Sequence, residues 1–501
     1  MSKPYVLGID QGTSGTKAVI IGREGEVLGY AYRPVARIYP QPGWVEQDPL
    51  AVVAGVEEAI TEAIGQAGIQ PGEIAACGLA CQRNTDFAWD ARSGQPIGNA
   101  ITWQDSRSLP FLEEIKRWPL ASEVHTRLGY GPGPYMSALH LAWRERYDLA
   151  YQETSRSGHL KLGLSAAWLL RTLGHPTGHY LDSSLVQAMG FYDFRASQYW
   201  AEWLDLLDVQ PDALPEAMPT LFDYGALHVT GPGGATADVP VLAMIGDQQA
   251  ALFGHNCRQP GEAECTHGTA SYVKVFLGHD TPDLGKMDVL CAWRLDDRQT
   301  YCLEAPTTVI GAVIRWMRDE VQLVRDYGEL ESLATSVPDP GGLYFVPAFT
   351  GLNAPYGDPN ARGTLFGLTL GHTRGHIIRA FLEALGYQLR DILASVWAET
   401  GIEVNELLVG GGVSASDLAC QIQADLLGIP VKRPDFSETT AWAAGLLAGL
   451  GAGTWTDVTE LPPLPGDYTH FYPQLTPGRR DANYERWRHA VALTQNWGNE
   501  R

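Results

Sequence analysis

The segment GIDQGTSGTKAVIIG, residues 8–22, puts an aspartate (Asp10), a run of small residues and a cation (Lys17) on one tight strand–turn–strand. Amides left uncovered by Gly12 and Gly15, with the hydroxyls of Thr13, Ser14 and Thr16, can surround phosphate oxygens while Lys17 supplies positive charge. The other reading of the same residues is an ordinary glycine-rich hairpin. The segment is neither GxxxxGK[ST] nor GxGxxG, so it is not one of those two phosphate-binding devices.

A second aspartate, Asp247, stands where the apolar run PVLAMIG ends. A nucleotide phosphate needs a divalent ion, and hard cations take carboxylate oxygen, so one of Asp10 and Asp247 can hold Mg²⁺ through water while the other accepts a proton. Phosphoryl transfer asks mainly for positioning and charge neutralisation, and an aspartate suffices as its base. The commoner fate of an aspartate at a strand end is a helix N-cap. Gly410, Gly411 and Gly412 precede a helix and would let a flat or anionic ligand approach the backbone; the plainer alternative is a tight turn. His372 and His376 stand four apart on one helical face, but no carboxylate near them completes a metal site.

These residues need elements to hold them. The apolar runs YVLGID, IAACGLAC, PVLAMIGD and ELLV each end in a polar or glycine-rich turn and read as buried strands that deliver chemistry at their C-terminal ends. Between them, Asp48-Pro49 opens a helix carrying Val53, Val56, Ile60 and Ile64 on one face, with Gly68 past its end. A second helix carries Ile377, Phe381, Leu385 and Leu389, and a third runs from about Ser416 to Gly428. Strands alternating with helices make an α/β protein. The Pro- and Gly-rich stretch 210–240 falls where a domain boundary is wanted, and 461–480 reads as irregular chain ahead of a last helix at 484–494.

Gly12-Thr13 opens a run that reaches Gly22, and Gly268-Thr269 opens one of equal length that reaches Gly278. Each follows a segment with an acidic residue at a strand end, Asp10 in one case and Asp247 in the other. Coincidence aside, such an echo implies two related α/β domains facing one another across a cleft.

At 501 residues the chain is long enough for two to four domains, and 45% hydrophobic against 19% charged residues excludes disorder as the main state. A formal net charge of -22 repels phosphate backbones and anionic membranes, so no nucleic-acid or membrane partner is expected. Cys77, Cys81, Cys257, Cys265, Cys291, Cys302 and Cys420 are scattered and never spaced as CxxC, which points to reduced thiols in a cytoplasmic protein. The N-terminus enters a strand at once, leaving no room for a secretory signal, and TTAWAAGLLAGLGAG from Thr439 suits a tightly packed soluble helix better than a membrane span.

Together the segments GIDQGTSGTKAVI, YPQPGWVEQDP, CQRNTDFAWDARSGQPIGNAITWQDSRS, GDQQAALFG, HGTASYVK, FVPAFTGLNAPYGDPNARGTLFGLT, HIIRAFLEALGYQLRD and VGGGVSASDLACQIQADLLG resemble the FGGY family of carbohydrate kinases, and within it the glycerol kinase branch. The resemblance runs nearly end to end. It implies two ribonuclease H-like, actin-type ATPase domains flanking a catalytic cleft, 1–245 mainly binding sugar or polyol and 246–501 mainly binding ATP. It further implies Mg²⁺ as cofactor, Asp247 as catalytic base, Gln248 as a ligand of a substrate hydroxyl and Asp10 as the carboxylate near the metal. By the same resemblance Thr13, Ser14 and Lys17 lie at the ATP phosphates. Gly268, Thr269, Gly311, Arg315, Gly411, Gly412 and Ala415 fall in the nucleotide-binding motifs. Arg83, Asn84, Trp103 and Tyr135 fall where substrate is held, with Tyr272 near the usual aromatic wall.

Four departures from the glycerol kinase pattern stand out, one of them Lys17 in place of a usual arginine and one, Arg315, near the nucleotide. Asn84 stands where glycerol kinases carry glutamate, so a charged acceptor has become a neutral group that both donates and accepts. His140 replaces a usual lysine, and Arg315 a usual glutamine. The expected activity is ATP-dependent phosphorylation of a glycerol-like polyol, triose or tetritol. A xylulokinase-like pentose kinase is the alternative, and a non-catalytic actin-like ATPase ranks below it. Whether the chain forms a homo-oligomer is left open by its sequence.

Overall fold

Apolar runs that end in small, polar turns become strands that end at one edge of a sheet. In the computed structural model, which describes residues 4–268, 271–282, 287–307 and 310–498, YVLGIDQ is a strand (β1, Tyr5–Gln11), buried from Val6 onward. The chain turns at Gly12-Thr13-Ser14 and comes back antiparallel as β2 (Gly15–Ile21), then β3 (Val27–Pro34). Asp48 caps helix α1 (Pro49–Ala67) by accepting from the Leu50 amide, as the Asp-Pro pair implies. There follow β4 (Ile74–Cys81), helix α2 (Ser137–Tyr147), the short β5 (Gly174–Pro176), β6 (Leu221–Thr230), β7 (Thr236–Gly246) and helix α3 (Asp247–Gly254). The seven strands lie in the order β3-β2-β1-β4-β7-β6-β5, with β1, β4 and β7 parallel neighbours at its centre.

The second part of the chain begins with β8 (Ala263–His267) and β9 (Ser271–Gly278), then β10 (Asp288–Cys291), β11 (Tyr301–Pro306) and helix α4 (Ile310–Asp319). It continues through α5 (Arg374–Thr400), β12 (Leu407–Gly411), α6 (Asp417–Leu427, capped by Ser416) and β13 (Val431–Pro434). Helix α7 (Thr439–Gly451) returns to the first sheet, and β14 (Tyr468–Phe471) and α8 (Pro477–Gly498) complete the second part. Its sheet has the order β10-β11-β9-β8-β12-β13-β14. Two compact units result: Met1–Asn256, Leu290–Tyr301 and Glu438–Pro465 in one, Cys257–Val289, Cys302–Ser437 and Gly466–Arg501 in the other.

The Gly-Thr echo is an echo of topology. β1–β2 and β8–β9 are both antiparallel hairpins, and the first strand of each runs parallel to a later strand, β4 or β12. That strand in turn pairs in parallel with β7 or β13, and the next partner, β6 or β14, is antiparallel. Thr269 itself lies outside the described residues.

Helix α7 is the apolar run from Thr439, buried along most of its length. It packs directly on β1, β4 and β7. It comes so close because glycine faces it: a Cβ on Gly8 would stand 1.9 Å from the Ala441 carbonyl oxygen, and one on Gly78 1.9 Å from that of Ala444. Among the described residues no helix is long and apolar enough to cross a membrane.

Two expectations of the sequence reading need correction. Most of the Pro- and Gly-rich stretch 210–240 is no linker but the β6–β7 hairpin of the first sheet, because LFDYGALHVT carries enough alternating apolar residues to pair. The final helix starts at Pro477 rather than 484, since proline at a first helical position loses no hydrogen bond, and the supposedly irregular chain before it contains β14.

Candidate active site

Parallel strands that start from one side must end together. The register places Gln11, Cys81 and Gly246 in one row across β1, β4 and β7, so Asp10, Gln82-Arg83 and Asp247 gather at one sheet edge. Asp247 is the first residue of α3, and the Gln248 amide donates to its Oδ1 at 2.8 Å. Arg83 Nε lies 4.0 Å from the same oxygen, both side chains largely shielded. Asn84 follows with φ +55°, a left-handed conformation that asparagine tolerates. Its buried Oδ1 has no hydrogen-bond partner.

Asp10 is the electrostatic centre of the edge. Burial pushes its carboxyl up to about 7; Lys17 pulls it back, and Asp247 and Glu438 push it further up. Lys17 stands directly across the β1–β2 pair from Asp10 and is ion-paired with Glu438 at 2.7 Å. Burial alone would lower the Lys17 ammonium, but the two carboxylates outweigh it and the group is raised. Asp10 Oδ1 is buried without a partner, and a desolvated, unsatisfied carboxylate oxygen suits a hard divalent cation. Among the described residues no three His, Cys, Asp or Glu side chains cluster as a complete metal cage. Such a cation would therefore take Asp10 plus water and phosphate oxygens, as magnesium commonly does.

The turn after β1 is held by amides that the sequence reading did not single out. Thr13 Oγ1 donates to Gln82 Oε1 at 2.9 Å and accepts from the Trp103 indole at 2.8 Å. Gln47 donates to the Thr13 carbonyl and receives from Gln82. Thr13, expected at the phosphates, thus ties the turn to Trp103, expected at the substrate. Ser14 is exposed, its carbonyl accepting from Tyr32 Oη and the Val35 amide. Gln47 and Gln82 carried no sequence signal of their own, each being one polar residue among polar neighbours in VEQDP and CQRNT. Tyr135, half-buried, donates from Oη to the Gly131 carbonyl at 3.1 Å.

The nucleotide motifs of the second unit form a separate group. β8 and β12 are parallel neighbours with His267 opposite Gly411, so Gly268 and Gly411-Gly412 lie side by side at the strand ends. Gly411 has φ +86°, and a Cβ there would stand 2.4 Å from the His267 carbonyl oxygen. Arg433 donates to the carbonyls of Ser414 and Ala415 and pairs with Asp417, fixing the turn into α6. Gly311 is buried on α4, whose Ile310 and Val313 share a core with Val413, while Arg315 is exposed on the same helix. Tyr272 is half-buried on β9. His372 and His376 accept from the amides of Thr369 and Thr373 through Nδ1, which makes them turn and cap residues.

Two sheets of matching topology, each built on an antiparallel hairpin, define the duplicated α/β fold of actin-type ATPases. The sequence profiles of the FGGY family of carbohydrate kinases match this chain at residues 5–254 for the N-terminal domain and 263–452 for the C-terminal domain. The chain belongs to that family and is a carbohydrate kinase, a phosphotransferase with an alcohol acceptor. A glycerol kinase of Symbiobacterium thermophilum is 37% identical over 501 residues, covering 100% of both chains. The Plasmodium falciparum glycerol kinase with ADP superposes with a TM-score of 0.90 at 24% identity over 98% of each chain. The ligand-bound xylulose kinase from Lactobacillus acidophilus gives 0.85 at 20% over 98% of each.

Proposed function

We propose that this kinase phosphorylates a small polyol or triose of the glycerol type with ATP, Asp247 acting as general base. The observation that carries the reading is Asp247 at the start of α3, its Oδ1 held by the Gln248 amide and 4.0 Å from Arg83, with Asn84 beside Arg83. A hydroxyl seated there meets a carboxylate to take its proton, a guanidinium to hold its oxygen and an amide to read a neighbouring group. The full-length relative named glycerol kinase supports the substrate class.

Asp10, with its unpartnered oxygen, would hold magnesium, and Lys17, Ser14 and the amides of Thr13 and Ser14 would face the phosphates, the Gly12 amide being spent on the Gly15 carbonyl. When bound, the ion supplies neutralisation of charge on the phosphoryl group. Gly268, Gly411, Gly412 and Ala415 are assigned to the nucleotide, Gly311 and Arg315 to its outer part, Tyr272 to the substrate wall. The seven cysteines are all buried and none forms a disulfide, which supports a reducing, cytoplasmic setting.

The test is a coupled ADP-release assay on glycerol, dihydroxyacetone, tetritols, pentitols and xylulose, read as kcat/KM, with Asp247→Asn as control. Glycerol-sized substrates should lead, and the variant should lose roughly 10² to 10⁴ in kcat with nucleotide binding kept. A preference for xylulose would move the enzyme to the pentose kinases. Full kcat in Asp247→Asn would remove the base.

A further inference from the structure

Behind the residues assigned to the acceptor lies a buried pair with no part in the chemistry so far. His140 on α2 is fully buried, its Nδ1 2.7 Å from Asp86 Oδ2 and its Nε2 2.8 Å from the Pro134 carbonyl oxygen. Asp86 is equally buried, and its Oδ1 has no partner. The main chain of Asp86 pairs with Ile101 in both directions, two residues before Trp103. Asp86 therefore ends the 83–86 segment, touches the 101–103 segment through its backbone, and reaches Pro134, next to Tyr135, through His140. The Pro134 carbonyl also accepts from Ser108 Oγ at 2.9 Å.

The protons follow from the partners. A carbonyl only accepts, so Nε2 carries a hydrogen. Nδ1 then meets Asp86 with one further proton between them, on the imidazole or on the carboxyl; without it, two lone pairs would face each other at 2.7 Å in a dry interior.

We propose that His140 and Asp86 are positioning residues, a proton-sharing clasp that sets the spacing of Arg83-Asn84, Trp103 and Tyr135 and so governs acceptor affinity rather than turnover. The inference rests on the reading that those four residues hold the acceptor. No atom of the pair reaches the reacting groups; it acts through the segments it joins.

Steady-state kinetics with acceptor and ATP varied separately test it. His140→Ala and Asp86→Ala should each raise the acceptor KM roughly tenfold while kcat and the ATP KM move by less than about twofold. Asp86→Asn should restore the acceptor KM, because its amide donates to Nδ1 of a neutral imidazole and Nε2–H still reaches Pro134. The clasp is wrong if the alanine variants leave the acceptor KM alone, if they lower all parameters together, or if Asp86→Asn is no better than Asp86→Ala. Should neither alanine variant fold by circular dichroism, His140→Gln decides: it keeps only one of the two bonds, and an unmoved acceptor KM overturns the proposal. Asn84→Gly and Tyr135→Phe separate the two layers. If they fail to move the acceptor KM, the pocket reading falls; if they move it and the clasp variants do not, the clasp alone falls.

Discussion

Lys17 and Glu438 are ion-paired at 2.7 Å although 421 positions separate them, and the same lysine faces Asp10 across the β1–β2 hairpin. The cation assigned to the phosphates is thus held from both sides, by its own hairpin and by the residue that opens α7. Glu438→Gln should release it and raise the ATP KM by about threefold to fivefold, since a partly exposed pair is worth no more than about 1 kcal/mol. Kinetics at fixed acceptor check this; an unchanged ATP KM would detach Lys17 from the nucleotide.

Asp10 gives a pH signature. Its folded pKa of about 7 lies above the ordinary aspartate value of 3.8, through burial first, so the folded state binds the proton more tightly than the unfolded chain. Stability from this group is fully present below the unfolded value and is lost as pH rises through about 7. Without nucleotide or magnesium, Asp10→Asn should match the wild-type Tm at acid pH and exceed it at pH about 8. A wild-type Tm equal to that of the variant across the range would contradict the buried, unpartnered carboxylate. The variant should also need more magnesium for any remaining activity.

Asn84 bears on substrate choice. A glutamate there can only accept, with bonds strengthened by charge to about 1.5–3 kcal/mol against about 1 for neutral ones, so Asn84→Glu should raise kcat/KM for glycerol relative to longer polyols and ketoses by about tenfold. The backbone at 84, with φ +55°, accepts asparagine or aspartate more readily than glutamate. Asn84→Asp therefore carries the charge with less strain, and a Tm loss confined to the glutamate variant would separate fold from function. A wild type that already prefers glycerol, with preference lost in the variants, would make Asn84 a tolerated variation.

The contact of Gly78 with α7 sets a stability prediction. Its Cβ would fall 1.9 Å from a backbone oxygen, so helix or strand must shift. Gly78→Ala should cost at least about 1–3 kcal/mol, visible as a lowered Tm or loss of soluble protein. Gly72→Ala, where a Cβ meets nothing within 4 Å, is the control.

Much of this protein was legible in its residues. The strands ending at Gln11, Cys81, Gly246 and Gly411, and the caps Asp48 and Ser416, declare themselves because burial on both faces and helix termini each demand particular residue types within a few positions. The hairpin echo was legible for the same reason. What only the tertiary structure decided are relations between distant segments. That Thr13 spends its hydroxyl on Gln82 and Trp103, that Glu438 grips Lys17, and that His140 shares a proton with Asp86 leave no local pattern. These partners are chosen by strand register and helix docking, not by spacing along the chain, so a polar side chain in the sequence names a possible bond while the packed sheet edge determines which one is made.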